Sequence, residues 1–186
     1  MTTLTICNED NPQQTEIFRN YDEIVRQLDA AGVLLEKWQA DQELDSDATP
    51  DNVIAAYQAS IDKLKHKYAF KSVDVVSLRP DHPQKDEFRQ KFLAEHTHDD
   101  FEIRFFVDGC GLFYLHIGDK VYMVVCESGD LISVPANTTH WFDMGKKPNF
   151  KCIRFFTTEE GWLADFTGNE IARSFPDYDE HLASLR

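Results

Sequence analysis

The apolar positions of this chain change rhythm along its length. Up to about residue 70 they recur at three- and four-residue intervals; from Phe92 to Phe156 they crowd into short runs cut by turn residues. The first part therefore predicts helices. Asn20-Tyr21-Asp22-Glu23 reads as a helix cap with Glu23 at the capping-box position; Ile24, Val25 and Leu28 follow at helical spacing, and Gly32 supplies the stop. Thr49 caps a second helix, with Pro50 at its first position and a stripe of Val53, Ile54, Tyr57, Ile61 and Leu64. Before the first helix a short strand is expected at Leu4 to Ile6, and between the two extended chain at Val33 to Trp38. Val73 to Leu78 reads as a strand, and a short helix is expected after Pro83, through Lys85 and Phe88.

The middle of the chain reads as β throughout. Gly109, Gly111, Gly118-Asp119, Ser128-Gly129-Asp130, Pro135 to Thr139 and Gly145 to Asn149 punctuate it about every 8 to 12 residues. That spacing suits an antiparallel barrel or jelly roll. A terminal helix is expected at Asn169 to Ser174, ended by Phe175-Pro176. The predicted class is mainly β with flanking helices, in one domain over 1–186. Its parts are a helical N-terminal region (about 1–70), a barrel (about 71–157) and a tail with a short helix (158–186).

Charge narrows the partners. Lys plus Arg is 19 against 33 Asp plus Glu, a net charge of -14. Such a surface repels phosphate backbones and anionic lipid, so neither nucleic acid nor membrane is expected as a partner. No apolar run approaches the roughly 20 residues of a bilayer span. The start, Met1 to Cys7, lacks the basic and apolar stretches of a secretory signal. The expected protein is a soluble, cytoplasmic monomer. Cys7, Cys110, Cys126 and Cys152 are scattered, with no Cys-x-x-Cys pair, and are expected as free thiols. Asn137-Thr138-Thr139 matches a glycosylation sequon but is read as a turn.

Chemistry concentrates at His96-Thr97-His98-Asp99-Asp100-Phe101-Glu102 and, later, at His140. His96 and His98 share parity on a strand, and Glu102 keeps it, so these side chains are expected to point into the barrel and meet His140 from a facing strand. Imidazole and carboxylate ligands suit Fe(II), Ni(II), Mn(II) or Zn(II). A lone strand histidine is usually structural, and His66, His82, His116 and His181 are read that way. Three ligand-type residues within seven positions, joined by His140 in a second Gly/Pro segment, are read as a metal site.

The two segments resemble the paired motifs of the cupin superfamily. The first motif, G-x5-H-x-H-x3–4-E-x6-G, is met by His96, His98, Glu102 and Gly109, with Gln90 in place of the leading Gly. The second, G-x5-P-x-G-x2-H-x3-N, is met by Gly129, Pro135 and His140, while Asn137 and Met144 replace its second Gly and final Asn. Asn137 tolerates a left-handed turn, and every ligand position is kept. Within that superfamily the chain is similar to the acireductone dioxygenase family from about Val33 to Pro176. The similarity rests on Glu95 to His98, Glu102 to Val107, Leu115 to Asp119, Asp130 to Pro135, His140 to Gly145, Lys147 to Phe150, Gly161-Trp162 and Ile54 to Tyr57. The resemblance implies a cupin-type antiparallel jelly-roll barrel and one Fe(II) or Ni(II) per chain, held by His96, His98, Glu102 and His140. It implies a small-molecule acireductone and dioxygen as substrates, within methionine salvage. Formate and a 2-keto acid are the expected products with Fe(II); formate, carbon monoxide and methylthiopropionate are expected with Ni(II).

Four protein ligands leave two positions of an octahedral ion for a bidentate oxygen chelate. Arg104 shares the parity of Glu102 and is a candidate to stabilise enolate charge, as is Arg154 on a late strand; the plain alternative for each is a surface ion pair. Phe92, Phe142, Trp162 and Phe166 are candidates for an apolar wall around a methylthio tail, or else simply core. Asp99 and Asp100 would support a ligand imidazole or sit in a turn. Competing readings are another cupin metallo-dioxygenase or isomerase, a non-catalytic ligand-binding cupin, and a structural zinc site.

Overall fold

A computed structural model describes residues 1–45, 47–68, 70–158 and 163–186. In chain order its elements are β1 (Thr3–Asn8), β2 (Asn11–Phe18), α1 (Tyr21–Ala30), β3 (Leu34–Lys37), α2 (Pro50–Ala56), α3 (Gln58–Tyr68), β4 (Ser72–Leu78) and α4 (Lys85–Leu93). There follow β5 (His96–Thr97), β6 (Glu102–Ile117), β7 (Lys120–Glu127), β8 (Asp130–Val134), β9 (Thr139–Asp143), β10 (Phe150–Phe156) and β11 (Asp165–Phe166). A short 3-10 helix (Ile171–Ser174) and α5 (Tyr178–Ser184) close the chain.

The strands pair antiparallel in two layers that share β6. One layer runs β11-β5-β9-β6-β7-β1-β2. The other runs β3-β8-β6-β10-β4. This is the expected cupin-type jelly roll, mainly β with helices at its flanks. The strand that joins the layers is the one the glycines were expected to cut. β6 continues through Gly109 and Gly111: its first half pairs with β8 and β10, and its second half pairs with β7 and β9. At the crossover Asp108 faces Lys151 while Phe106 faces Cys152, so Val107 is an extra residue and the strand bulges. Gly109 follows at φ 71, and a Cβ there would sit 1.9 Å from the Asn149 carbonyl oxygen. The glycine re-aims a strand; it does not end one.

Alternation sorts the side chains into three apolar clusters. Phe106, Phe113, Leu115, Val124, Ile132, Phe142 and Phe150 point between the layers. Phe105, Leu131, Ile153 and Phe155 face outward from one layer, beneath Val53, Tyr57, Ile61 and Leu64 of the helices. Leu112, Tyr114, Met123 and Trp141 face outward from the other, beneath Phe175 and the C-terminal segment. One outer face is therefore covered by the apolar stripe that the helical periodicity predicts, and the other by the C-terminal segment.

Several sequence expectations need correction. The Thr49 helix keeps its cap, with Asn52 in the capping box, but divides at Tyr57 into α2 and α3. Tyr57 is buried edge-on against Phe105 at 5.4 Å, and its hydroxyl accepts from the Gln42 amide at 3.3 Å. In the first 70 residues β1 joins β7 and β3 joins β8, where strand and extended chain are expected, and the unexpected polar β2 adds an edge strand paired with β1, its Phe18 packed against the core. The Asn169 to Ser174 expectation shrinks to the 3-10 turn, and α5 forms beyond Pro176 instead, capped by Asp177 with Glu180 in a capping box. α1 starts and stops as read, with half of the expected capping box: Asn20 accepts from the Glu23 amide, and Val33 and Gly32 donate back to Leu28 and Asp29 around Gly32 at φ 81.

Candidate metal centre

His96, His98, Glu102 and His140 converge at one end of the barrel, all buried, with their donor atoms within 4.8 Å of one another. The route differs from the expected one. His96 lies on β5, the chain then leaves the strand, and Glu102 opens β6, so one strand's parity does not carry the set. Asp100 makes the break: its carboxylate accepts from the Phe101 and Thr157 amides. His140 is not on a facing strand but is the direct cross-strand partner of His96. Two ligands thus come from one layer and Glu102 from the half of β6 that belongs to the other.

Backbone carbonyls aim the imidazoles. His96 Nδ1 donates to Ala94 O at 2.7 Å, His98 Nδ1 to Leu163 O at 3.0 Å, and His140 Nδ1 to Thr138 O at 2.7 Å. Each Nε2 is thereby turned toward the centre as the ligand nitrogen, an orientation metal-binding histidines commonly receive. Glu102 Oε2 lies 3.0 Å from His98 Nε2 and 3.0 Å from His140 Nε2. Donors about 2.1 Å from a first-row ion are spaced about 3 Å when adjacent, so these groups fit such an ion. The asparagine of the second motif also behaves as read: Asn137 adopts φ 60 and donates its amide to His98 O at 2.8 Å.

Electrostatics favour the ligand forms of Glu102 and His96, but not of His98, whose proton an arriving metal must displace. Burial opposes the Glu102 charge, but the Arg104 guanidinium and then His140 outweigh it and hold the carboxyl well below its usual range. Burial, reinforced by His140, lowers His96 to about 4 and keeps it neutral. For His98, burial is outweighed by the hydrogen bond to Glu102, and the net shift is upward.

The remaining predicted residues divide. Arg104 is buried, with Nε 2.6 Å from Glu102 Oε1, and its guanidinium lies 4.7 Å from the Phe142 ring, 5.2 Å from Phe113 and 5.7 Å from Phe92. Phe142 is core, packed on Phe113 and Phe150 behind that guanidinium. Arg154 is the direct cross-strand partner of Arg104 and is ion-paired to Asp74, with Nε to Oδ1 at 2.7 Å. Phe92 is half-buried, and Phe166 is exposed with its ring 5.7 Å from that of His96. A cavity of about 340 Å³ beside the centre is lined by Phe92, His96, His98, Arg104, Arg154 and Phe166, among others. Trp162 lies outside the described residues. Asp99 is exposed, and Asp100 is turned to the Phe101 and Thr157 amides. Sequence reasoning missed the Ala94, Thr138 and Leu163 carbonyls, which carry no side-chain signal, and Lys91, which also lines the cavity.

A jelly-roll barrel with three imidazoles and one carboxylate gathered at its mouth defines a cupin-type metalloprotein. A family model described as ARD/ARD' family matches residues 3–164. The chain is 56% identical to an acireductone dioxygenase of Methylococcus capsulatus, over 98% of each chain, and 55% identical to one of Hydrogenobaculum sp., over 100% of each. A solved acireductone dioxygenase from Bacillus anthracis, with a cadmium ion in its active center, superposes with a TM-score of 0.77 at 30% identity, covering 89% of this chain and 98% of that one. The chain belongs to the ARD/ARD' family.

Proposed function

We propose that this protein is a metal-dependent dioxygenase that cleaves an acireductone with dioxygen. The observation that carries the reading is the four-ligand centre with Arg104 seated beside it in the same cavity. A bound Fe(II) or Ni(II), one per chain, would be held by His96, His98, Glu102 and His140 and would supply Lewis acidity and two adjacent sites for a chelating enediolate. The chain's own groups prepare the substrate. Arg104 provides a fixed positive charge at the place where enolate charge collects, in a pocket where Phe92, Phe113 and Phe142 keep water away from it. Arg154, at the cavity edge, adds positive potential for an incoming anion. Phe92 and Phe166 supply an apolar wall for the methylthio tail. Phe142 acts from behind, fixing the Arg104 plane.

The family resemblance supports metal-dependent products: formate with 4-methylthio-2-oxobutanoate for Fe(II), and formate, carbon monoxide and 3-methylthiopropionate for Ni(II). The net charge of -14 supports a soluble monomer, and the length of 186 residues supports a single domain. Among the described residues no helix is long and apolar enough to cross a membrane. The test is a split assay on metal-stripped protein reloaded with Fe(II) or Ni(II). Turnover with both metals, and carbon monoxide from the nickel sample alone, is expected. No turnover above background oxidation, with one metal bound per chain, would overturn the reading.

A further inference from the structure

A second cluster of polar side chains lies behind the metal ligands and has no part in the reaction as derived above. Glu95, buried and next to His96, accepts from the Thr167 hydroxyl at 2.6 Å through Oε2, while its carbonyl accepts the Thr167 amide at 3.1 Å. Its Oε1 is held by His116 Nδ1 at 3.0 Å, and His116 Nε2 reaches Glu9 Oε2 at 2.7 Å. The chain of contacts therefore runs from the β1–β2 turn, across the end of β6, to the segment that follows β11.

That segment borders the metal cavity. Leu163 gives its carbonyl to His98 Nδ1, Asp165 pairs with Thr97, and Phe166 pairs with His96. Yet Leu163, Asp165, Phe166 and Thr167 are all exposed. A surface segment with so little apolar burial is held by its hydrogen bonds, and each one weighs on the closed population. Thr167 makes three of them to one residue, its hydroxyl also reaching the Glu95 carbonyl at 3.4 Å, and Glu95 is itself fixed by His116.

We infer that Thr167 and Glu95 are a positioning pair: their contact holds the 163–167 segment so that Leu163 O orients the His98 imidazole and Phe166 stands against His96. Neither residue touches the reacting atoms. The inference rests on the metal centre proposed above and not on the identity of the substrate.

The test compares Thr167→Val, which keeps the shape and loses the donor, with Thr167→Ser, which keeps the donor. Nickel loss from the loaded full-length protein into excess EDTA is followed without substrate. Weakening a contact that orients a ligand imidazole costs about tenfold or more in metal retention. Thr167→Val should release nickel about that much faster, and Thr167→Ser should stay within about twofold of the parent, while the metal-free proteins melt within about 2 °C of one another. Glu95→Gln, which leaves an acceptor for Thr167 but disturbs His116, should fall between. Parent-like release from Thr167→Val, equal acceleration in both Thr167 variants, or a matching fall in metal-free melting temperature would each overturn the inference. Turnover plays no part in this readout, so failure of the dioxygenase reading alone would leave a positive nickel result standing.

Discussion

Arg89 and Asp143 form a two-point ion pair, Nε to Oδ1 and one terminal nitrogen to Oδ2, each at 2.7 Å. Asp143 is fully buried three residues beyond His140, and it also accepts from the Gly145 and Tyr178 amides at 2.9 and 2.8 Å. The carboxylate thus ties together α4, which carries Phe92, β9, which carries His140, and the start of α5. Arg89→Ala would leave that buried charge with two amides and no cation. Loss of one partner of a buried pair costs about 3 kcal/mol or more. Urea unfolding should show a loss of that size with an unchanged slope, and a loss below about 1 kcal/mol would mean that solvent screens the pair.

Arg104 offers a separation of charge from geometry. Lysine would keep the positive charge near Glu102 but lose the planar group lying over Phe142, Phe113 and Phe92. Arg104→Lys should retain close to one metal per chain and lose about 100-fold in kcat/KM, the size seen when one preorganised donor to a developing oxyanion is removed. Metal analysis alongside kinetics decides it: parent-like kcat/KM would show that charge alone suffices.

At Gly109 the barrel tolerates no side chain, because backbone stands in the way. A Cβ would meet the Asn149 carbonyl oxygen at 1.9 Å and the Phe150 Cα at 2.8 Å, both backbone atoms, at a φ of 71. Gly109→Ala must shift the β10 end of the ladder or unwind the bulge. We expect a loss of at least about 3 kcal/mol, read as a lowered denaturation midpoint or as insoluble protein on expression. A midpoint near that of the parent would show that the crossover can move.

These cases show what a sequence can and cannot announce. His96, His98, Glu102 and His140 were legible because ligand residue types are rare and their motif spacing is tight; the path between them was not, since Asp100 turns the chain with hydrogen bonds to Phe101 and Thr157 that spacing does not reveal. Arg104 and Phe142 followed from parity, which survives inside a regular strand. Gly109 was read as punctuation because a glycine at positive φ ends a strand or bulges one with the same residue. β2 carries a polar sequence and exists through its pairing with β1, so no apolar pattern marks it. The α5 cap, Asp177 with Glu180, was visible in principle, but the preceding Pro176 suggested an end. Asp143 lay inside a recognisable motif, yet its role depends on Arg89, 54 residues away in sequence.

His181 sets a pH limit on the C-terminal helix. It is buried on α5, its Nε2 has no hydrogen-bond partner among the described residues, and burial alone lowers its pKa. Above the ordinary value of about 6.5 the imidazole is neutral in both folded and unfolded chains, and stability does not depend on it. As pH falls below about 6.5 the unfolded chain takes up the proton while the folded chain resists it, so the unfolded state gains protons and stability drops, by at most about 1.4 kcal/mol per pH unit, until the folded group titrates too. Other histidines add their own slopes, so the difference between parent and His181→Gln isolates this one. The variant should be less stable at pH 7.5 yet show a shallower decline between pH 6.5 and 5, measured by denaturant unfolding of nickel-loaded protein at each pH. Parallel declines in the two proteins would place the acid sensitivity elsewhere.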